Sequence, residues 1–374
     1  MKVMHLLPSL SSGGVEQVVL ELCEGLCSRG IENVVVSAGG SMVPAIEATG
    51  ARHITRPIGR KSLFTLFQVG RTARLIRAEK PDVILIWGTE YDIGRCVLMA
   101  NNKKIPSLIY IQGVMCSIAE NYRGGLSDEE IKSFTTILER FRKTSVFDIE
   151  QRQREKARIE KEEILLADGV IVENDWAAEQ YKKLSKEIVV FRNRLPIKKE
   201  FATYTWQADT CRRHTIVTTA AMYPLKGLHK LLEAIKILKE KYPDIRLYVP
   251  GPNGVILHNL RAKLLQGGYC KWVYKFIKKN NLLDNIVFTG PLSTEQYAEE
   301  MQGAEVFVTA SAIENHCSAL REAMSVGVPC VSSCVGGIPE FAVDGENCSL
   351  YAFADVDALA AAIAELFEDT ERKK

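Results

Sequence analysis

Glu314 and Glu322, with seven residues between them, stand on either side of a helix start in the run Ser311-Ala-Ile-Glu-Asn-His-Cys-Ser-Ala-Leu-Arg-Glu-Ala-Met. The helix is expected to begin near Ser318, whose hydroxyl can cap free backbone N–H groups. It should stop at Gly327, where a residue without Cβ can turn left-handed ahead of Pro329. Glu322 then lies inside the helix and Glu314 on the loop before it. Helix N-termini gather unpaired N–H groups that attract anions, so carboxylates beside them suit a polyol carrying a phosphate. Paired carboxylates also invite a glycoside-hydrolase reading, in which two carboxyls flank one bond.

Two further stretches carry chemistry of the same kind. Gly13 and Gly14 separate a buried-strand pattern at Lys2–Leu7 from helical spacing at Val15–Cys27. Glycine lets the backbone approach a ligand, and the helix behind offers N–H groups to a phosphate. A plain tight turn would use the same residues. No G-x-G-x-x-G is present, which counts against a nicotinamide-binding unit. Lys226 precedes Gly227 at the mouth of the amphipathic helix Leu231–Leu238, where one compact cation can meet a phosphate oxygen. Alone, such a lysine reads first as a surface residue.

Glu314 and Glu322, followed by Ala323-Met324, Gly327-Val328-Pro329, Ser332 and Gly336-Gly337-Ile338-Pro339-Glu340, resemble the donor-site signature of group 1 retaining glycosyltransferases, family 4. Gly13-Gly14-Val15-Glu16 resembles that family's opening, so the likeness reaches both ends of the chain. The resemblance implies a GT-B fold, two doubly wound Rossmann-like α/β domains facing across a cleft, and transfer of a sugar from a nucleotide diphosphate donor. Glu314 would then accept hydrogen bonds from the sugar, and Glu322 from the ribose hydroxyls. Lys226 and main-chain groups from His316, Cys317 and Ser318 would hold the diphosphate. Gly13 and Gly14 would close on it from the first domain. Gly251 ends a strand in a glycine turn, and Thr289, Gly290 and Leu292 resemble the base-binding loop.

The resemblance further implies no metal or other cofactor, a UDP-sugar ahead of a GDP-sugar, and a saccharide or lipid-linked acceptor in cell-surface polysaccharide synthesis. A hydrolase role recedes, because Glu322 belongs to the nucleotide end. The chain departs from the family pattern at three points. Gln112 stands where a histidine near the transferred sugar is usual, Ala221 where a diphosphate-binding arginine is usual, and Arg194 where a glycine follows the crossover asparagine. The sequence also ends in a charged tail at Lys374, without the further helix that the resemblance implies. A silent nucleotide-sugar-binding protein and a GT-B-type epimerase or phosphorylase therefore stand as alternatives.

The chain is 374 residues long, more than one core usually serves. Two domains are expected, at 1–195 on the acceptor side and 196–374 on the donor side. A net charge of +2 gives no bulk electrostatic reason for a nucleic-acid partner. The ten cysteines show no CxxC pair and no metal-ligand spacing, and read as reduced core residues. Met1-Lys-Val-Met-His-Leu-Leu-Pro is too brief for a signal h-region, and no apolar run of spanning length follows. A cytoplasmic protein is expected, with contact at the inner face of a membrane left open.

Strand patterns alternating with helical ones predict parallel, doubly wound sheets. Ligands in such sheets sit beyond the C-terminal strand ends, so Trp87-Gly88-Thr89-Glu90 and Tyr110-Ile111-Gln112-Gly113 are expected to line the cleft, with Glu90 and Gln112 as acceptor-side candidates. Residues 168–174 are expected to form the last strand of the first domain. The charge-dense stretch from Ser127 to Leu166 reads as an exposed helical region, its Arg140, Arg142 and Lys143 facing solvent, an anionic acceptor or a lipid surface.

Overall fold

A computed structural model describes residues 1–11, 14–56, 65–89, 93–193, 197–219, 222–257 and 259–369. Gly13, Glu90, Ala221 and Arg194 lie outside the described residues. The chain divides into two compact units, Met1–Cys116 with Gln153–Leu195, and Ser117–Arg152 with Pro196–Lys374.

The first unit is built on β1 (Lys2–Leu6), α1 (Gly14–Cys27), β2 (Glu32–Ser37), α2 (Val43–Ala48), β3 (Arg52–Thr55), α3 (Thr65–Glu79), β4 (Val83–Trp87), α4 (Ile93–Asn101) and β5 (Ser107–Tyr110). Next in the chain come α5 (Met115–Asn121), α6 (Asp128–Phe134), α7 (Ile137–Arg142) and α8 (Val146–Leu166), before β6 (Gly169–Val172), α9 (Asp175–Leu184) and β7 (Val189–Arg192). Its strands pair in parallel in the order β3-β2-β1-β4-β5-β6-β7. Strand side chains alternate between two apolar layers. Met4, Leu6, Ile84 and Ile86 enter one, and Val3, Leu7, Leu85 and Trp87 the other. A strand buried on both faces must be apolar throughout, which is why Val34-Val35-Val36 and Ile84-Leu85-Ile86 read as continuous runs.

The second unit carries β8 (Arg212–Thr218), α10 (Leu228–Lys239), β9 (Arg246–Pro250), α11 (Leu260–Leu265), α12 (Gly268–Lys279), β10 (Ile286–Gly290), α13 (Thr294–Gly303), β11 (Ala304–Thr309), α14 (Ser318–Val326), β12 (Cys330–Ser333), β13 (Ser349–Tyr351) and α15 (Val356–Glu368). The strand order is β10-β9-β8-β11-β12-β13, again parallel. Val306 and Val308 face one layer, Ala304 and Phe307 the other. In both units the order reverses beside the first strand, between β1 and β4 and between β8 and β11. Such reversals open a crevice at the C-terminal strand ends.

Three sequence expectations are corrected. Residues 117–152, expected in the first domain, belong to the second unit, because Tyr122, Leu126, Ile131 and Val146 enter the same apolar core as Leu231 and Ile235. Residues 168–174 do not hold the last strand of the first sheet: β7 pairs with β6 as its edge. The charged stretch is not wholly solvated, since Glu150, Glu160 and Glu163 are buried.

Each of those carboxylates has a specific task. Glu163 accepts the Arg95 N–H at 2.7 Å in the first turn of α4, where the helix dipole favours an anion. Glu160 accepts the Met115 N–H at 3.1 Å and the Thr89 hydroxyl. Glu150 accepts the Arg123 Nε at 2.7 Å. Periodicity shows which residues share a helix face, and it cannot show that a carboxylate meets another helix's N-terminus. None of the ten cysteines is in a disulfide, and six are buried, while Cys334 is exposed rather than core. Among the described residues no helix is long and apolar enough to cross a membrane, and no group of three or more His, Cys, Asp or Glu side chains is placed to hold a metal ion.

Candidate functional site

Lys226 follows β8 and Glu314 follows β11, the two strands that flank the reversal in the second sheet. Their side chains meet there, with Lys226 Nζ donating to Glu314 Oε1 at 2.5 Å. Burial works to lower the Lys226 pKa, but Glu314, Tyr223 and the hydrogen bond to Glu314 outweigh it, and the net shift is upward. The ammonium is therefore charged throughout the neutral range.

The backbone sets this meeting. Pro224–Lys226 forms one turn of 3-10 helix, ended by Gly227 at φ 68°. A Cβ on Gly227 would stand 1.7 Å from the Ala310 carbonyl oxygen, so only glycine lets the turn press against the end of β11. The Ala312 N–H donates to the Leu225 carbonyl at 2.7 Å and fastens the same join. On the other side, the Gly337 N–H donates to the Glu314 carbonyl at 3.1 Å. A Cβ on Gly336 would lie 1.9 Å from that oxygen. The glycine pair thus fixes the Glu314 main chain from beneath.

Glu322 lies in α14, as expected, and Gly327 ends that helix at φ 86°. The cap differs from expectation. Cys317 occupies the N-cap in the left-handed region, at φ 47° and ψ 61°, with no side-chain cap bond, and Ser318 is already the first helical residue. The left-handed bend returns the chain from the Glu314 loop into α14, and it leaves the serine hydroxyl past the cap position. Cys317 is buried, its pKa pushed up to about 12 by desolvation and the nearby Glu314. It serves as packing, with its main chain left to shape the loop. His316 is held by the Arg321 guanidinium, one turn into α14.

Burial raises the Glu322 pKa, with Lys198 and Arg321 drawing it partly back. The Tyr297 hydroxyl, on α13, is shielded from solvent and has no hydrogen-bond partner among the described residues. Desolvation and the charge of Glu322 push its pKa well above the ordinary phenol value. A buried hydroxyl without a partner beside a desolvated carboxylate is unusual, because leaving such a group unmade costs about 1–3 kcal/mol. The sequence reading missed Tyr297. Its signal was present as one aromatic in the polar helix that Ser293 caps, with Gln296 closing a capping box.

Gly251 and Gly290 end β9 and β10 at φ 106° and 79°, and the Gly251 N–H donates to the Gly290 carbonyl at 2.9 Å. A Cβ on either would meet nothing within 4 Å, so the space in front of both is open. Thr289 turns its hydroxyl onto the Gly290 carbonyl at 2.9 Å, and Leu292 is half-buried just beyond. All four residues share the C-terminal edge of the sheet with Lys226 and Glu314.

A second set of supports came from the stretch that sequence reading assigned to the other domain. Tyr122 stacks on Tyr223, with ring planes 5° apart. Gly124, at φ 58°, packs so closely on the Pro224 carbonyl that a Cβ would stand 2.1 Å from it. His229 links Gly124 to α12, with Nε2 2.8 Å from the Gly124 carbonyl and Nδ1 3.0 Å from the Tyr269 hydroxyl. The turn that carries Lys226 is thereby braced from α5 and the loop after it.

In the first unit Gly14 opens α1 with free space where a Cβ would be. Gln112 is half-buried, its amide 3.1 Å from the position of a Cβ on Gly88. Trp87, Thr89 and Tyr110, expected to face a ligand, are buried instead. Trp87 stacks on Tyr110 at 4.7 Å and donates to His5 Nδ1 at 3.3 Å.

Two parallel sheets of this strand order, with a lysine and a glutamate joined at the reversal of the second, make a doubly wound α/β architecture with a charged pair where such sheets take their ligands. The model described as "Glycosyl transferases group 1" matches residues 211–374, and that described as "Glycosyltransferase Family 4" matches residues 12–193. The chain belongs to the group 1 glycosyltransferases, family 4. It is 26% identical over 167 residues to the GDP-mannose-dependent alpha-(1-6)-phosphatidylinositol monomannoside mannosyltransferase of Mycolicibacterium smegmatis, covering 43% of this chain and 40% of that protein. The match thus spans well under half of that relative's length.

Among solved structures, sucrose-phosphate synthase from Thermosynechococcus elongatus superposes with a TM-score of 0.71 at 18% identity, covering 100% of this chain and 91% of that one. The Anabaena protein HepE in complex with UDP gives 0.66 at 17%, covering 100% and 92%. At these identities the likeness concerns the GT-B fold.

Proposed function

We propose that the chain transfers a sugar from a nucleotide diphosphate sugar to a saccharide or lipid-linked acceptor, with retention at the anomeric carbon. The observation that carries this reading is the Lys226–Glu314 pair at the strand-order reversal. Lys226 and Glu314 satisfy each other's charge. A bound diphosphate offers Lys226 a more highly charged partner, which frees Glu314 to accept hydrogen bonds from the sugar. Lys226 then neutralises the charge that grows on the leaving diphosphate as the glycosidic bond breaks, an interaction that strengthens in the transition state. The first turn of α14 supplies main-chain N–H groups to the same phosphates.

Glu322 takes the ribose hydroxyls, and the Tyr297 hydroxyl beside it supplies a donor to the ligand or to the carboxylate itself. Gly251, Thr289, Gly290 and Leu292 border the base. The HepE complex contains UDP and the mycobacterial relative is named for GDP-mannose, so both bases stand in the reading, UDP first. The acceptor side falls to the first unit, where Gln112 replaces proton handling by an amide that hydrogen-bonds a hydroxyl.

The test uses Glu314→Gln and Lys226→Ala with a panel of UDP- and GDP-sugars, reading nucleoside diphosphate release. Each variant should lose at least a hundredfold in kcat, in line with the ~10²–10³ carried by one charge-stabilising donor, and should keep its melting profile within a few degrees. Unchanged turnover in both variants sinks the assignment. Nucleotide binding by calorimetry without turnover on any acceptor would favour the silent-binder alternative.

A further inference from the structure

The largest exposed apolar side chains of the second unit lie on two short helices. On α7, Ile137 and Phe141 are 85% and 87% exposed, and on α11, Leu260 and Leu264 are 73% and 68% exposed. Each pair is spaced four residues apart, which puts both members on one helix face. Residues this apolar are ordinarily drawn into a core, and scattered single exceptions carry no meaning. These are not scattered. Glu139 of α7 accepts the Gly268 N–H at 2.8 Å, three residues past Leu265, so α7 is fastened to the chain just beyond the end of α11.

The arrangement is built rather than frayed. Thr136 and Glu139 form a complete capping box at the start of α7, and Lys143 closes it in the left-handed region. Asn259 caps α11 through the Arg261 and Ala262 N–H groups. A six-residue helix does not form without such fastening.

The exposed charges on these two helices have one sign. Arg140, Arg142 and Lys143 flank the apolar pair of α7, and Arg261 and Lys263 that of α11, all of them exposed. The only carboxylate on either helix is Glu139, and it is engaged by the Thr136 and Gly268 N–H groups. Exposed leucine, isoleucine and phenylalanine interleaved with arginine and lysine match a bilayer interface. Apolar side chains enter the acyl boundary there while cations meet anionic headgroups.

We propose that α7 and α11 form a docking surface for an anionic lipid bilayer. A protein partner would need a complementary acidic, concave face, and nothing on these helices offers a polar hydrogen-bonding rim to orient one. The proposal is independent of donor chemistry, so its failure leaves the transferase reading untouched.

The test is co-sedimentation of the full chain with phosphatidylglycerol/phosphatidylcholine vesicles, without donor or acceptor. The chain should bind, binding should weaken as salt rises from 0.1 to 0.5 M, and pure phosphatidylcholine should retain much less. Ile137→Glu/Phe141→Glu should lower the bound fraction at least tenfold, and Arg140→Glu/Lys143→Glu should do the same. Both pairs are exposed, so circular dichroism and melting should be unchanged. Absence of binding by the unaltered chain, or equal binding by the apolar double variant, overturns the proposal. So does an apolar double variant that converts a dimer to a monomer in sedimentation velocity while vesicle binding persists, since the face would then serve a second copy of the chain.

Discussion

Alanine at position 336 tests whether the glycine pair after β12 sets the position of Glu314. Gly336 sits at φ 58°, and an added Cβ would stand 1.9 Å from the Glu314 carbonyl oxygen. Real Cβ atoms do not approach closer than 3.0 Å, so the two loops must part by about 1.1 Å. The left-handed backbone costs alanine about 1–2 kcal/mol. Loss of the Gly337–Glu314 hydrogen bond adds about 0.5–1.5 kcal/mol. Together these give about 1.5–3.5 kcal/mol, a fall of about 3–14 °C in the transition of a unit this size.

Turnover should suffer more than stability, because a displacement near 1 Å at a reacting group costs on the order of a hundredfold. Gly327→Ala is the control. Gly327 is also left-handed, at φ 86°, but a Cβ there meets nothing within 4 Å. It should show the backbone cost alone, about 1–2 kcal/mol, with kcat nearly intact. The assay is nucleoside diphosphate release at saturating donor, paired with differential scanning calorimetry of each variant. If Gly336→Ala melts and turns over like Gly327→Ala, the contact with Glu314 does not position it and the account of the site is wrong.

Two other outcomes follow from buried carboxylates. Burial raises the Glu322 pKa, so the group favours folding below its unfolded value of 4.5 and loses that contribution as pH rises through the folded pKa. At pH 7 its charge opposes folding, and Glu322→Gln should raise the melting temperature there, with the gain gone at pH 4 in parallel melts. The same change should weaken nucleotide binding at least tenfold in calorimetry, since a charged acceptor is worth about 1.5–3 kcal/mol. Glu163→Ala should destabilise the first unit by about 2–4 kcal/mol, because it strips the Arg95 N–H and the α4 N-terminus of their anion. A melting profile equal to that of the unaltered chain would show that the carboxylate is dispensable.

The alternation of apolar strands and amphipathic helices was legible because a strand buried on both faces has no polar option. That made β1, β2, β4, β8 and β11 plain in the sequence, while the order in which they pair, and so the reversal at which Lys226 and Glu314 meet, came from the structure. Gly227 and Gly336 were legible as motif letters, while their reason is a contact distance that no one-dimensional pattern contains. The assignment of residues 117–152 failed for the same cause. Tyr122, Leu126, Ile131 and Val146 look alike whichever core receives them, and chain proximity favoured the wrong one. The charged run from Ser127 to Leu166 concealed two different things. Glu150, Glu160 and Glu163 are buried anchors, and Ile137 and Phe141 are exposed. Composition averages these into an ordinary solvated helix, although burial inverts the expected place of both residue types.

These misreadings bear on how the site is held. Lys226 rests on a turn that the end of β11 presses at Gly227 and that the 117–152 segment presses at Pro224 through Gly124. A lysine side chain is long and rotamer-rich, and fixing it ordinarily costs about 1.5–2 kcal/mol of entropy. Here two close glycine contacts hold the main chain and Glu314 holds the ammonium, so that cost is met at folding and not again when a diphosphate arrives. An electrostatic site acts through such preorganisation, because a cation that must be found and ordered at the moment of bond cleavage gives back part of what it contributes. The segment that sequence reading placed in the other domain is therefore a part of the donor-side scaffold, and the same segment bears α7 with its exposed apolar and basic face.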